Sequence, residues 1–148
     1  MKKFFTFLIV ALCLFNPLPA FADGRGTLVD GVLLDNSPTS VTSDGLQVGK
    51  SDKVTFIVTY DETEVGASVS AAVTLEISYD NTNFFAASFH DLAGGATLQT
   101  SETISADSRY IFWMPRDLAV PYARVKVTGT NTDADDTALI TVNYYLRG

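Results

Sequence analysis

Hydrophobic and polar residues alternate with a period of two along most of the chain after Asp52, in runs rich in Val, Ile, Thr, Tyr and Phe. Clusters of Gly, Asn and Asp separate these runs. In the run DKVTFIVTY, one face carries large apolar or aromatic side chains, namely Val54, Phe56, Val58 and Tyr60. Successive side chains of a strand point to opposite sides, so the alternation predicts strands with one packed and one hydrated face, as antiparallel sheets permit.

The run SVSAAVTLEISYD predicts a second such strand and the turn that follows it. Its inward-facing residues are expected to be Val69, Ala71, Val73, Leu75, Ile77 and Tyr79. The sequence Asp80-Asn81-Thr82-Asn83 comes next, and Asn and Asp tolerate left-handed backbone and hydrogen-bond to their own main chain. We therefore expect a hairpin that reverses the chain into NFFAASF.

The remaining runs complete an all-β pattern. RYIFWM is apolar on both faces, which predicts a central strand, whereas ATLQTSETIS predicts a single weak, polar strand. PYARVKVTG and TALITVNYYLRG predict the last two strands, and TLVDGVLL and the stretch around 41–48 add one or two short strands upstream. About eight to nine strands without a helix indicate an antiparallel β-sandwich, jelly-roll or immunoglobulin-like, in a single domain spanning 23–148.

The first 22 residues are typical of a secretory signal peptide. Lys2 and Lys3 precede an apolar stretch, and Ala20-Phe21-Ala22 fits the rule of small residues around the cleavage site. The apolar stretch of roughly a dozen residues is shorter than the roughly 20 that a membrane-spanning helix needs. We therefore expect export to the periplasm or the extracellular space, a mature chain that starts at Asp23, and no membrane attachment after cleavage.

The charge balance of the mature chain limits its partners. Without the signal, 8 basic residues stand against 17 acidic ones, a net charge near −9. Such a charge repels nucleic acid and anionic lipid at long range, so we expect neither as a partner. Cys13, the only cysteine, leaves with the signal, so the mature 126 residues depend on packing rather than on disulfides for stability.

Few side chains of the mature sequence are suited to catalysis. It has one histidine, His90, and no cysteine, so we predict no enzymatic activity and no required cofactor. Calcium binding stays open, because calcium takes oxygen ligands from carboxylates and loop carbonyls. Its candidate ligands are Asp133, Asp135 and Asp136, and a solvated hairpin tip is the alternative interpretation of that loop.

The strand predicted near the mature N-terminus is apolar on both faces. Leu28, Val32 and Leu34 alternate there with Val29 and Leu33. A terminal strand of this kind is either clamped within its own sandwich or donated to a neighbour by strand addition. We predict that Leu28, Val29, Val32 and Leu33 are subunit contacts, made where sheet edges pair.

Aromatic rings offer a second kind of surface, since extracellular sandwiches often bind glycans on exposed aromatic faces. Trp113 and Tyr110 are the candidate residues of such a ligand platform. Packing in the core or in a subunit interface is the alternative for Trp113, because aromatic residues in alternating strands usually fill the interior of a sandwich.

Two segments resemble a class of jelly-roll proteins found in phage virions and in bacterial extracellular appendages. The first is a V-x-L-E-x-S-x-D strand leading into a turn and an aromatic pair, matched here by Leu75, Glu76, Ser78, Asp80, Asn83, Phe84 and Phe85. The second is a P-x-x-R-V-x-V strand, matched by Pro121, Arg124, Val125 and Val127. Phe84 stands where tryptophan is common in the class. The resemblance covers roughly the last hundred residues and implies a structural or adhesive role by analogy of fold.

Together these features predict an exported, non-enzymatic β-sandwich that serves as a structural subunit of an extracellular or surface filament or oligomer. Self-association through strand edges is its expected interaction. A signal peptide would serve no purpose in cytoplasmic virion assembly, which favours the extracellular branch of the resemblance. A secreted module that binds carbohydrate or a cell surface is the alternative.

Overall fold

The computed structural model describes residues 24–35, 39–62, 69–91, 98–105, 107–115, 119–130 and 137–148. These residues form twelve β-strands in two antiparallel sheets, and no helix lies among them. The described ranges therefore also contain no helix that could span a membrane. The predicted all-β sandwich is confirmed. Its strands outnumber those expected from the sequence because several are only two to four residues long.

Sheet A contains six strands. They are β1 (Gly24–Leu34), β4 (Lys53–Glu62), β7 (Phe89–Asp91), β8 (Leu98–Gln99), β10 (Ser108–Trp113) and β12 (Ala138–Arg147). Their order across the sheet is β1-β12-β4-β10-β7-β8. The strand predicted to be central, β10, lies between β4 and β7, so that prediction is confirmed.

Sheet B contains the other six strands. They are β2 (Ser40–Thr42), β3 (Leu46–Gln47), β5 (Ser70–Ser78), β6 (Phe85–Ala87), β9 (Glu102–Ser105) and β11 (Tyr122–Thr130). β5 and β11 form its centre, with β2 and β3 along the far side of β11 and β6 and β9 along the far side of β5. The prediction of one strand over ATLQTSETIS is wrong, because that segment is divided between β8 in sheet A and β9 in sheet B.

The core lies between the sheets and is built from the alternate residues of the long strands. Residues that are fully or almost fully buried include Val54, Phe56, Val58, Tyr60, Val73, Leu75, Val125, Val127, Ile140 and Val142. Phe112 joins the aromatic part of this core, with its ring centroid 5.3 Å from that of Phe56 and 4.7 Å from that of Phe89. Tilted rings at these separations are a favourable aromatic arrangement.

The turn after β5 has the hairpin geometry that the sequence predicts. Asn81 adopts a positive φ of 59°, and the Asp80 Oδ1 atom accepts hydrogen bonds from the backbone N–H groups of Thr82 at 2.9 Å and Asn83 at 2.8 Å. The chain then reverses, and β6 pairs with β5. Gly45 packs on this turn so closely that a Cβ atom there would overlap the Asn81 side-chain oxygen.

One residue of β5 departs from the predicted alternation. Tyr79 was expected inside but is 74% exposed, whereas Ser78 is buried. β5 ends at Ser78, whose hydroxyl donates a hydrogen bond to the Asp80 carboxylate at 2.9 Å. The prediction for Tyr79 fails because the turn begins before that residue, and the two-residue period holds only while the backbone stays extended.

β1 is paired within its own sheet. It runs antiparallel to β12 from Gly24, opposite Leu146, to Leu34, opposite Ala138. The pairing register shifts between Thr27 and Val29 and again between Val29 and Val32, and Gly31 has a φ of 58° that L side chains rarely adopt. The structure thus realises the clamped alternative for this strand.

Candidate functional site

The outer face of sheet A carries a continuous row of six residues, one from each strand. The register of the five strand pairs places them side by side in the order Arg25, Tyr145, Thr55, Trp113, His90 and Leu98. We call this set the cross-sheet row. Its apolar members are partly open to solvent: Leu98 is 52% exposed and Tyr145 39%.

Trp113 and His90 are neighbouring rings in the cross-sheet row. Their ring centroids lie 5.8 Å apart with an interplanar angle of 28°, because the two residues are direct partners on β10 and β7. The Lys53 ammonium lies 5.4 Å from the centroid of the Trp113 ring, within the range of a cation–π contact. Lysine is therefore held over an aromatic face that points away from the core.

A cleft of about 490 Å³ opens beside Trp113. Its lining includes Asp52, Lys53, His90, Met114 and Arg147. The walls combine two cations, one carboxylate and an imidazole with an aromatic ring, so the cleft is suited to contacts with a polar surface. The residues around it come from four separated segments of the chain.

A second row, adjacent to the cross-sheet row, is apolar at its centre. Ile57 of β4 pairs directly with Ile111 of β10 and with Asn143 of β12. Both isoleucines point outward, because the residues on either side of them, such as Phe56 and Phe112, are buried in the core. An apolar pair at the middle of an outward face is uncommon for a hydrated sheet, which normally presents polar residues there.

The two ends of this outer face carry opposite charge. At one end Lys53 is the register partner of Arg147, and at the other Asp61 and Asp107 border the same surface depression. The Asp107 carboxylate also accepts a hydrogen bond from the Glu62 backbone N–H at 2.8 Å, which fixes its position. Along β4 the outward-facing side chains thus change from basic Lys53 through apolar Ile57 to acidic Asp61, and Arg109 of β10 lines the depression beside Asp61 and Asp107.

Sheet B has a different outer face. There the Arg124 Nε atom donates to the Glu76 Oε2 atom at 2.6 Å, and the Arg124 guanidinium lies 3.8 Å from the centroid of the Phe84 ring. Lys126 and Thr74 are the next register pair on the same side of the sheet. Charged and polar groups therefore satisfy one another across the centre of this face, and we do not regard it as the candidate site.

The predicted contact residues of β1 fall into two groups. Val29 is buried in the core of its own sandwich, and Leu28 and Val32 pack against that core. Leu33 is 41% exposed and is the register partner of Leu139 on the outer face of sheet A. The bulges of β1 turn most of its apolar side chains inward, so Leu33 is the one of the four whose side chain is largely available at the surface.

The structure does not bring together the two residues of the predicted ligand platform. Trp113 and Tyr110 are three positions apart on β10, and residues with odd spacing project to opposite faces of a strand. The Tyr110 ring packs against Phe112 and Phe89 inside the sandwich. Burial, with a smaller contribution from Asp91, raises the pKa of the Tyr110 hydroxyl well above its usual range. Trp113 alone stays a candidate for the platform.

The proposed calcium ligands Asp133, Asp135 and Asp136 lie outside the described residues. Among the residues that the structure does describe, no group of three or more His, Cys, Asp and Glu side chains is placed to hold a metal ion. Calcium binding therefore stays a prediction from the sequence.

The sequence did not single out Lys53, Ile57 or Arg147 as parts of a site. Alternation marks each of them as outward-facing, which is the only signal that the sequence offers. Their proximity to Trp113 depends on the pairing of β4 with β10 and β12, which alternation does not specify.

A solved structure titled "SPBc2 prophage-derived protein YomS" has a similar fold. The TM-score is 0.54 at 16% sequence identity, and the match covers 88% of this chain and 98% of that one. At this identity the likeness shows the fold alone. That protein derives from a prophage, which agrees with the resemblance of this sequence to phage proteins. No protein-family model matches the chain, and no curated protein matches it either.

Proposed function

We propose that this protein is an exported, non-enzymatic β-sandwich that acts as a structural subunit of an extracellular or surface assembly. One observation carries the proposal: Ile57, Ile111 and Trp113 lie partly exposed on the outer face of sheet A, while Arg124 and Glu76 pair across the outer face of sheet B. When another molecule covers the apolar groups on one face of a sandwich, these groups leave water and the free energy falls.

Export is supported by the pattern of the first 22 residues. β1 begins at Gly24, so cleavage after Ala22 leaves every described strand intact. Sequencing the N-terminus of the protein recovered from the periplasm or the medium tests this step. A mature chain starting at Asp23 is the expected result, and an intact Met1 on all of the protein would refute export.

Association through sheet A can use the outer face or the outer edge of β1, with which no described strand pairs. The edge is interrupted by the register shifts around Val29 and by Gly31, and bulges of this kind hinder the addition of another strand. Regular register in β1 is limited to two short runs, 24–27 and 32–34. The outer face therefore supplies the larger share of the contact, and edge pairing a smaller one.

Light scattering coupled to size exclusion, with negative-stain imaging, tests the assembly role on the mature chain 23–148 over a wide concentration range. We expect a discrete oligomer or a filament whose population rises with protein concentration. A strict monomer at the highest concentration contradicts the proposal.

A secreted carbohydrate-binding module is the second candidate, and the position of Trp113 beside the cleft favours it. Sugar rings stack on exposed aromatic faces, and the flanking polar groups supply hydrogen bonds. Screening the mature chain on a glycan array, together with Trp113→Ala, tests this function. Phe85→Ala is the matched control, because Phe85 is an exposed aromatic residue of sheet B. Binding lost in Trp113→Ala and kept in Phe85→Ala would support this function, and an array without binding would remove it.

A further inference from the structure

The outward-facing residues of β4 form a self-complementary series. In order along the strand they are Lys53, Thr55, Ile57, Thr59 and Asp61. If a second copy of β4 is laid over the first in the opposite direction, with Ile57 on Ile57, threonine lies over threonine and lysine over aspartate. Lys53 and Asp61 each lie four residues from the centre, a distance of about 13 Å in a strand.

The neighbouring strand β10 has a matching series about the same centre. Ile111 is the direct register partner of Ile57, with Trp113 on one side of it and Arg109 on the other. Reversal about Ile111 places the Arg109 guanidinium of one chain over the Trp113 ring of another. Arginine over tryptophan is a favourable cation–π pair. This second series belongs to a different strand and involves different chemistry, so it is independent of the charges on β4.

We infer that a second copy of this chain packs on the outer face of sheet A and is related to the first by a two-fold axis. The axis lies in the plane of the interface, perpendicular to the strands, and passes over Ile57 and Ile111. The two β4 strands lie antiparallel across the interface. Isoleucine contacts isoleucine at the centre, and Lys53 of each chain faces Asp61 of the other. This inference rests on the proposed function, and it specifies the partner and its orientation.

The geometry suits the packing of two sheets. Aligned sheets pack about 10 Å apart with strand directions within about 30° of one another. The long, flexible Lys53 side chain accommodates this rotation. Its ammonium, 5.4 Å from the Trp113 ring centroid in the single chain, turns to Asp61 and Asp107 of the other copy, and Arg109 of that copy takes its place over the ring. A two-fold interface uses the same patch on both copies, so every contact occurs twice. The charges also select orientation, because parallel strands would place Lys53 against Lys53.

Charge reversal at the two ends of β4 provides the test. Sedimentation analysis of the mature chain compares the wild type with Lys53→Glu, with Asp61→Lys, and with an equimolar mixture of these two variants. Each variant alone places like charges together at two symmetric positions, so we expect its self-association to weaken at least about tenfold. In the mixture, the new carboxylate at position 53 of one chain faces the new ammonium at position 61 of the other. Association is therefore expected to return.

Lys126→Glu is the matched control, because it makes the same charge change on the outer face of sheet B. It is expected to leave association unchanged. Ile57→Arg is a second probe at the centre of the interface and is expected to produce monomers. Far-ultraviolet circular dichroism and melting curves identify any variant that fails to fold, and the remaining variants then carry the test.

The outcomes separate this inference from the proposed function. A wild-type chain that assembles but does not respond to Lys53→Glu, Asp61→Lys or Ile57→Arg overturns the inference and leaves the assembly role standing. Weakened single variants that the mixture does not restore overturn the antiparallel orientation and with it the inference. A wild-type chain that is monomeric throughout overturns the proposed function itself.

Discussion

Individual polar groups in this sandwich differ in whether they have hydrogen-bond partners. Asp80 receives hydrogen bonds from the backbone and side chain of Asn83, from the Thr82 N–H and from the Ser78 hydroxyl. By contrast, the hydroxyl oxygens of Tyr60 and Tyr110 are buried, and they have no hydrogen-bond partner among the residues that the structure describes. Both situations shift a pKa, and each predicts a different dependence of stability on pH.

Asp80→Ala is expected to lower the melting temperature near neutral pH. The backbone N–H of Asn83, followed by the Asn83 side chain, the Thr82 N–H and the Ser78 hydroxyl, holds the pKa of Asp80 well below its ordinary value near 3.8. A lowered pKa in the folded state gives stability that is present above pH 3.8 and is lost as the pH falls below it. Melting curves at several pH values should therefore converge for wild type and variant in acid. Asp30→Ala, which removes an exposed aspartate of β1, is the control.

Tyr60→Phe is expected to reduce the loss of stability in alkali. Burial, and then the nearby charges of Glu62 and Asp107, raise the pKa of Tyr60 from 10.0 to about 12. A raised pKa in the folded state gives stability that is complete below pH 10 and is lost as the pH rises toward 12. Near neutral pH the variant should lie within about 1 kcal/mol of the wild type, because the deleted hydroxyl has no partner among the described residues. Unfolding by urea at pH 7 and at pH 11 measures both effects, with exposed Tyr79→Phe as the control.

Among the secondary-structure elements, β1 places apolar side chains on both faces of sheet A. Its apolar residues follow the two-residue period only between its irregularities, and Leu33 and Leu34 at its end point to opposite faces. Leu34 is fully buried opposite Ala138, whereas Leu33 is 41% exposed. The same strand therefore closes the core and contributes to the outer face of sheet A.

Leu34→Ala and Leu33→Ala form a matched pair that tests this assignment. Leu34→Ala removes a fully buried side chain and leaves a cavity, so we expect a loss of about 2 to 5 kcal/mol in the free energy of unfolding. Leu33→Ala removes the same atoms from the surface, and we expect a change within about 0.5 kcal/mol. Urea unfolding at low protein concentration measures both in the monomer. Equal losses for the two variants would show that β1 is not seated as described.

For the whole molecule, the main feature is that the chain passes repeatedly between its two sheets. β4, β10 and β12 of sheet A are separated along the sequence by the β5 and β11 strands of sheet B. Neither sheet is a continuous segment, and both contribute to one core. The two sheets are therefore expected to unfold together in one cooperative transition.

Leu75→Ala tests this cooperativity across the core. Leu75 is fully buried in sheet B, whereas Trp113, the only tryptophan, lies in sheet A. We expect the substitution to cost about 2 to 5 kcal/mol and to move the Trp113 fluorescence transition and the circular dichroism transition by the same amount. If the fluorescence transition kept its wild-type midpoint while the dichroism transition moved, the sheets would be unfolding separately.

The sequence by itself determined the fold class and most of the inward-facing residues. In β4 and in β5 as far as Ile77, the alternation identified the residues that pack against the core, and the Asp80 turn followed from residue types alone. These features are local, because the extended backbone sets which side a residue faces and the turn uses its own side chains.

Only the tertiary structure decided which strands are neighbours and in which register. It divided ATLQTSETIS between two sheets and brought His90 and Lys53 to Trp113. Strand partners are distant in sequence, and pairing is chosen by the burial of the whole core rather than by any single run. For this reason the alternation could show that Lys53, Ile57 and Asp61 face outward, but not that they form one face with Ile111 and Trp113.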